Sequence, residues 1–332
     1  MRFESSITSV SWIPSDAVEG MFKMPFQLGM AHYDEPLPDV LRDIDAWGKA
    51  DLFREANELR AFIEVENGRI VDHGHLGRGH IGVTRLRVGP KTLTVPAVAM
   101  PLLRPEPEVG PTSVRFVQTA GGRTGMPAPR PVPRKPFFQI DSAIAWTTLS
   151  LTIHADGRSE TKLVGASPFP RHWIYDHSGK LVAKSGLIDS RTWLNDAFGE
   201  RTPWGDYDSQ AVTMAAETSL ERELSYLVMH TKPGPRIKDL ARGKVLLEQG
   251  QTGGEMYLLL DGVLAVEVDG KVVAQVGPGA ILGERAQLEG GQRTATLRAE
   301  TRCKAAEFES TLVSAPEMVE IAGGHRREEV PT

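Results

Sequence analysis

The sequence predicts a mainly β protein with flanking helices: an N-terminal β-rich domain followed by a C-terminal β-roll. Three observations carry this. Short alternating apolar–polar runs recur along the chain, each closed by a glycine- or asparagine-bearing turn. From about 236 to 308 strand and turn alternate regularly, as in a small roll or barrel. Pro233-Gly234-Pro235 marks a boundary that regular structure does not cross. A length of 332 residues suits two domains, drawn as 1–207 and 236–322 with a connecting helix and linker at 208–235.

In the N-terminal part, Ile7 to Trp12 alternates and ends at Pro14. Val40, Leu41, Ile44 and Trp47 recur at helical spacing and stop at Gly48. Leu59 to Val65 and Ile70-Val71 flank Asn67-Gly68, a strong hairpin signal because both residues tolerate positive φ. Gly89-Pro90, Asp156-Gly157 and His177-Ser178-Gly179 each separate two further strand-like runs. A helix is expected from Ser190 to Phe198, stopped at Gly199. Nine prolines fall between 101 and 136, and this stretch is read as a long irregular loop, with a hinge inside the N-terminal region as the alternative, because proline lacks a backbone donor. That reading takes in Gly121-Gly122-Arg123-Thr124-Gly125, which lacks the ending of a phosphate loop, and the basic run Arg130 to Lys135.

Val212, Ala216, Leu220, Leu224 and Leu227 then step along one helical face from about 209, with Thr218-x-x-Glu221 as a capping box that would start a shorter helix. In the roll, Lys244–Glu248, Met256–Leu260, Val263–Val268 and Val272–Val276 are strands, separated by Asp261-Gly262 and Asp269-Gly270 turns. Met318 to Ile321 begins a last helix, which Gly323-Gly324 is expected to break.

The cassette from Gly283 to Thr296 carries the chemistry. Gly283-Glu284 opens it, Arg293 follows nine residues after Glu284, and Thr294-Ala295-Thr296 returns into a strand. With the glycines between strands, this pattern resembles the cyclic-nucleotide-binding domain family over roughly residues 236–322. The resemblance implies a β-roll and a cAMP or cGMP ligand held by Gly283, Glu284, Arg285, Ala286, Arg293, Thr294 and Ala295. The chemistry is consistent with it. Burying a cyclic phosphate needs a fixed cation, which a guanidinium provides in forked geometry. Backbone N–H groups near Gly283 can face the phosphate, and a carboxylate at Glu284 can accept from the ribose 2′-hydroxyl. The hydroxyl of Thr294 can reach phosphate or base. Ala286 leaves room for the phosphate, and Ala295 allows tight packing. Val272, Val276, Leu282 and Leu297 are candidates for the apolar wall. A surface ion pair between Glu284 and Arg293 is the bland alternative.

The resemblance departs from the family at three points. Arg285 stands where an aliphatic residue is usual, Leu282 where Phe is common, and the base-capping helix is short or absent if Gly323-Gly324 ends it. A lid would then come from a second subunit or from the N-terminal region. Arg293-Thr294 is also the pairing of cGMP-selective relatives, yet bacterial relatives with it are similar to cAMP binders, and cAMP is favoured.

Composition excludes other classes. The net charge of −5 does not make a broad nucleic-acid surface. The single cysteine, Cys303, allows neither an intrachain disulfide nor a cysteine-rich zinc site, and is read as buried and inert. No signal-peptide or membrane-spanning apolar run occurs, so a cytoplasmic protein without membrane attachment is expected. The tail ending Arg326-Arg327-Glu328-Glu329 leaves no room for a helix-turn-helix, so no DNA-binding module is expected. His73, His75 and His80 lie close together, but among glycines they read as an exposed turn, and no metal is expected. Asp176, Asp189 and Asp196 with Tyr175 and Trp193 are candidates for an N-terminal pocket. Trp146, Trp173, Trp193 and Trp204 read as core or pocket wall. The leading functional expectation is a sensor or adaptor, with a protein partner or a homo-oligomer. The alternatives are a nucleotide-gated enzyme, favoured by a buried carboxylate or histidine in a deep N-terminal pocket, and an assembly protein with a degenerate nucleotide site.

Overall fold

The structure is a computed structural model, and it describes all residues except 15, 16, 19, 28–35, 96, 199–201, 206–210, 212, 217 and 326–332. Gly199, residues 208–210, Val212 and the charged tail therefore lie outside the described residues. The chain divides into two compact units, Met1–Ala211 and Val212–Thr332.

The first unit contains β1 (Arg2–Trp12), α1 (Met24–Gln27), α2 (Ile44–Lys49), β2 (Glu55–Glu66), β3 (Arg69–His75), β4 (Arg78–Ile81), β5 (Thr84–Val88), β6 (Lys91–Val95), β7 (Val98–Ala99) and β8 (Glu108–Val109). It continues with β9 (Ser113–Pro131), β10 (Phe138–His154), β11 (Ser159–Ala166), β12 (Arg171–Tyr175), β13 (Leu181–Ser185) and α3 (Ser190–Asp196). One sheet runs β13-β12-β1-β2-β3, with β4 also on β2; the other runs β11-β10-β9-β7, with β8 on β9. Alternate residues of both sheets, including Ile7, Leu59, Ile63, Phe116, Leu149 and Leu151, bury their side chains in one core. The unit is thus a β-sandwich, the form in which two half-apolar sheets cover each other.

The hairpins fall where expected. Asn67 and Gly68 take φ of 50° and 75° between β2 and β3, the positive-φ pair that a two-residue turn requires. Helix α2 starts later than the periodicity implies: Val40 bridges Lys180 instead, and Asp43 caps the helix by accepting from the Ala46 N–H.

The expected loop at 101–136 is overturned. Its second half is β9, the longest strand, paired with β10 along its length. Pro127, Pro129 and Pro131 occupy alternate positions, so all three missing donors fall on one side of the strand. Pairing on β9 by β7 and β8 involves Val114, Arg115, Gly122 and Arg123, short of those prolines. Gly121–Gly125 is strand as well, and Gly121 and Gly122 are needed there, because a Cβ would come within 2.3 Å and 2.2 Å of neighbouring carbonyl oxygens. Arg130, from the supposed solvated loop, lies on β9 and pairs with Asp141.

Several of the other N-terminal candidates have structural partners. Asp189 caps α3 by accepting from the N–H groups of Arg191 and Thr192. Asp176 holds its own turn through Ser178 and Lys180. Tyr175 donates to the Pro38 carbonyl, Trp193 Nε1 to that of Ile144, and Trp204 Nε1 to that of Pro101. His80 lies 3.6 Å from both Asp45 and Glu58, and His75 packs edge-on against Phe116. Among the described residues, no cluster of three potential metal ligands occurs.

One end of the sandwich core is polar. Ser11 Oγ lies 2.6 Å from Glu55 Oε2 and 2.7 Å from His172 Nδ1, while His172 Nε2 lies 2.8 Å from the Ser167 carbonyl. All but Ser167 are fully buried. Burial holds His172 down to about 4, against the Ser167 hydrogen bond, so the ring is neutral. A carbonyl only accepts, so Nε2 carries the proton and Nδ1 accepts from Ser11. The serine hydroxyl has one proton, so it serves the imidazole only while the Glu55 carboxyl is protonated and donates to it; once Glu55 ionises, Ser11 donates to the carboxylate instead. Burial does push the Glu55 carboxyl well above the usual range, with the Ser11 contact opposing. A carboxyl with a raised folded-state pKa penalises the fold once pH exceeds its unfolded value. Glu55→Gln, which cannot ionise, is therefore expected to match wild type near pH 4 and exceed it in urea midpoint at pH 8; equal midpoints at pH 8 would contradict the protonated form.

The second unit begins with β14 (Thr213–Ala215), then α4 (Ser219–Met229), β15 (Arg236–Leu240), β16 (Val245–Leu247), β17 (Glu255–Asp261), β18 (Leu264–Val268), β19 (Lys271–Val276) and β20 (Ile281–Leu282). It ends with α5 (Glu284–Leu288), β21 (Thr296–Ala299), β22 (Cys303–Glu309) and α6 (Ala315–His325). Two four-stranded sheets, β15-β22-β17-β20 and β16-β21-β18-β19, enclose a core containing Tyr257, Leu259, Leu264, Leu282 and Leu297. Cys303 is buried in it, and burial pushes its thiol up. Leu224 and Val228 of α4 pack with Met318 and Ile321 of α6 on Met256, Leu258 and Phe308.

Two helix boundaries differ from expectation. The helix read from about 209 starts at Ser219, because the Thr218–Glu221 capping box is fully formed and Thr213–Ala215 is extended. Helix α6 is not broken at Gly323-Gly324 but runs on to His325. Glycine disfavours a helix by about 1 kcal/mol relative to alanine but does not forbid it. The side-chain anchor of the final residue, described next, offsets that.

Candidate functional site: a cavity in the C-terminal roll

The cassette sits where β20 turns into α5. Gly283 makes the corner with φ of 95°, and a Cβ there would come within 2.7 Å of Arg293 Nη1 and 3.1 Å of the Glu255 carbonyl. Both the backbone and the close approach demand glycine. Helix α5 follows with Glu284 and Ala286 buried, and the Gly291 N–H closes onto the Ala286 carbonyl at 2.6 Å. The chain then returns past Arg293, whose backbone is held on both sides. Its N–H donates to Gln251 O, and its carbonyl accepts from the Gly250 N–H, each at 2.8 Å.

These elements line a cavity of about 690 Å³, well within the range of small-molecule sites. Gly283, Glu284, Arg285, Ala286, Arg293, Thr294 and Ala295 all line it, so the structure brings every expected site residue together. Val272, Val276, Leu282 and Leu297, the candidates for its wall, line it too, along with Leu247 and Val266.

Glu284 and Arg293 do not pair with each other; each has its own support. Arg293, 4% exposed, donates from Nη2 to the Glu255 carbonyl at 2.8 Å and contacts Glu255 Oε2 at 3.3 Å. That carboxylate belongs to a side chain 56% exposed, so screening makes it a weak neutraliser of the buried cation. Glu284, also 4% exposed, is met at Oε1 by His325 Nδ1 at 3.2 Å.

The sequence reading missed His325, which lines the same cavity. Its other nitrogen, Nε2, lies 3.2 Å from Glu221 Oε1. Glu221 is 5% exposed, and its Oε2 closes the capping box by accepting from the Thr218 N–H at 3.0 Å. Burial opposes charge on the imidazole, but hydrogen bonds and attraction from Glu221 and Glu284 outweigh it and lift His325 to about 10. Burial also opposes charge on Glu221, yet His325 and the Thr218 donors hold its carboxyl below the usual range. No local motif marks His325. Only continuation of α6 through two glycines could have pointed to it.

Residues 237–314 match the family model for the cyclic nucleotide-binding domain. A cyclic nucleotide-gated potassium channel of Mesorhizobium japonicum is 24% identical over 200 residues, covering 58% of this chain and 53% of the channel. The chain thus spans about half the length of that relative. Among solved structures, a cyclic nucleotide-binding domain from Methylobacillus flagellatus is similar at 24% identity over 28% of this chain and 62% of that one, with a TM-score of 0.25. A cyclic nucleotide-binding-like protein from Brucella abortus is similar at 24% identity over 30% and 84%, with a TM-score of 0.23. The family match, on a two-sheet roll that carries the cassette, makes residues 237–314 a cyclic nucleotide-binding domain.

Proposed function

We propose that residues 236–322 bind a cyclic nucleotide in this cavity, and that the protein is a cytoplasmic sensor or adaptor whose roll regulates the N-terminal unit. Arg293 holds the cyclic phosphate and Glu284 the ribose 2′-hydroxyl. Gly283, Ala286 and Ala295 let the backbone approach, Arg285 adds a second cation, and Thr294 offers a hydroxyl to phosphate or base. The observation that carries the reading is a buried arginine and a buried glutamate, not paired to each other, facing one apolar-walled cavity. Arg293, at 4% exposure, meets a carboxylate on a side chain 56% exposed, and a buried guanidinium so weakly neutralised suits an anionic ligand.

We favour cAMP over cGMP. Guanine brings more hydrogen-bonding groups than adenine, and a wall of Leu247, Val266, Val268, Val272, Val273 and Val276 would leave them unpaired. Regulation requires the nucleotide to bind one arrangement of the protein better than another, and helix α4, joined to the cavity through Glu221 and His325, is the element placed to respond. An enzymatic N-terminal unit is the weaker reading. Its strongly shifted groups, Glu55 and His172, are sealed at zero exposure and bonded to each other through Ser11.

Calorimetric titration of the full chain with cAMP and cGMP tests the proposal. Saturable binding is expected from both, with cAMP tighter by roughly tenfold, the worth of about one unpaired polar group. Absence of heat from both, on folded protein, would leave the roll as a scaffold.

A further inference from the structure

Resting on the nucleotide-binding reading, we propose that His325 is a positioning residue of the site, holding Glu284 by one carboxylate oxygen so that the other is presented to the ribose 2′-hydroxyl. The geometry argues for this directly. The imidazole lies between two carboxylates, Nδ1 at 3.2 Å from Glu284 Oε1 and Nε2 at 3.2 Å from Glu221 Oε1. A neutral imidazole has one N–H and can donate to only one of them. Satisfying both requires the imidazolium, whose charge also offsets two carboxylates at 5% and 4% exposure. Among the described residues Glu284 Oε1 has this bond, while Oε2 has none and remains for a ligand on the cavity wall. A side chain tethered at one oxygen loses less rotational freedom when a ligand takes the other, which is how pre-organisation raises affinity.

The same ring ties three elements together. It ends α6, its Nδ1 partner opens α5, and its Nε2 partner closes the capping box of α4. The tether therefore acts through Glu284, and its effect belongs to the ribose rather than to the phosphate. A residue that merely held α6 in place would weaken every cyclic nucleotide alike.

The test is calorimetric titration of the full chain with cAMP and with 2′-deoxy-cAMP, using wild type, His325→Ala and Arg293→Ala. Wild type is expected to favour the ribo form by at least ~10-fold, the worth of a hydrogen bond to a charged group. His325→Ala is expected to shrink that ratio toward unity while 2′-deoxy-cAMP binds within about threefold of wild type. Arg293→Ala is expected to weaken both compounds together. Should His325→Ala fail to fold, the double variant Glu221→Gln/His325→Leu poses the same question, because leucine has no donor for Glu284 and the second buried carboxylate is removed. A His325 variant that binds with the wild-type ratio overturns the positioning role alone. Wild-type protein that binds neither compound overturns the nucleotide reading, and this inference with it.

Discussion

Arg293→Ala is expected to raise the dissociation constant for the cyclic nucleotide by on the order of 100-fold, with the protein still folded. Truncating one partner of a buried charge pair typically costs about 2–5 kcal/mol, much of it from leaving the other charge unpaired. Here the other charge would be a cyclic phosphate in a cavity walled largely by valine and leucine, where water cannot replace the guanidinium well. The folded state depends on Arg293 less. The side chain supports the Glu255 carbonyl and contacts a carboxylate 56% exposed to solvent, and the arginine backbone is pinned independently to Gly250 and Gln251. A stability loss of about 1–2 kcal/mol is the expected scale for the orphaned carbonyl. Arg293→Lys keeps the charge but not the fork, and should recover only part of the affinity. Binding within threefold of wild type for Arg293→Ala would place the phosphate elsewhere in the cavity.

What the sequence made legible follows from the range of the interactions involved. Asn67-Gly68 specified its hairpin because the requirement, positive φ at two adjacent residues, is met or failed within the turn. The cassette was legible for a similar reason: Gly283, Glu284 and Arg293 lie within one corner and one return loop, and the structure brings them to one cavity. Strand β9 was not legible, because a count of prolines says nothing about which side of a strand each one faces. Pro127, Pro129 and Pro131 are tolerated only because their alternation matches the strand period and β10 lies on the opposite side.

His325 was hidden by distance and by a local rule. Its partners are 41 and 104 residues away in sequence, and two glycines precede it where propensity argues for a helix end. Tertiary contacts overrode propensity: Met318 and Ile321 fix the start of α6 in the core, and the two carboxylates fix its last residue. Glu221 was legible as a cap but not as a charge partner, since one oxygen serves the capping box and the other serves the imidazole.

The second large effect is a loss of stability in the C-terminal unit at alkaline pH, removed by His325→Gln. The charged groups facing the ring are Glu221 from α4 and Glu284 from α5, and Arg285 shares the cavity wall. Burial alone would lower the imidazole; the two carboxylates outweigh it and raise the ring to about 10 from an ordinary 6.5. A raised folded-state pKa means the native state holds a proton that the unfolded chain releases. The stabilisation is therefore complete below about pH 6.5 and is lost as pH climbs through about 10, with a slope of roughly 1.4 kcal/mol per pH unit where one proton separates the states. On the acid side the lowered Glu221 has the opposite sign, and its contribution disappears as pH falls below the ordinary carboxylate range. Because Glu221 and His325 report one shared interaction, their contributions are not added, and roughly 5 kcal/mol is a ceiling for the alkaline loss. Other titrating groups are common to wild type and His325→Gln, so the difference between their urea midpoints isolates the ring. That difference should be largest near pH 6 and close toward zero by pH 10. A constant difference across that range would mean that the imidazole is neutral in the fold, bonded to one carboxylate only, and the link from Glu284 to α4 would then be broken at the ring itself.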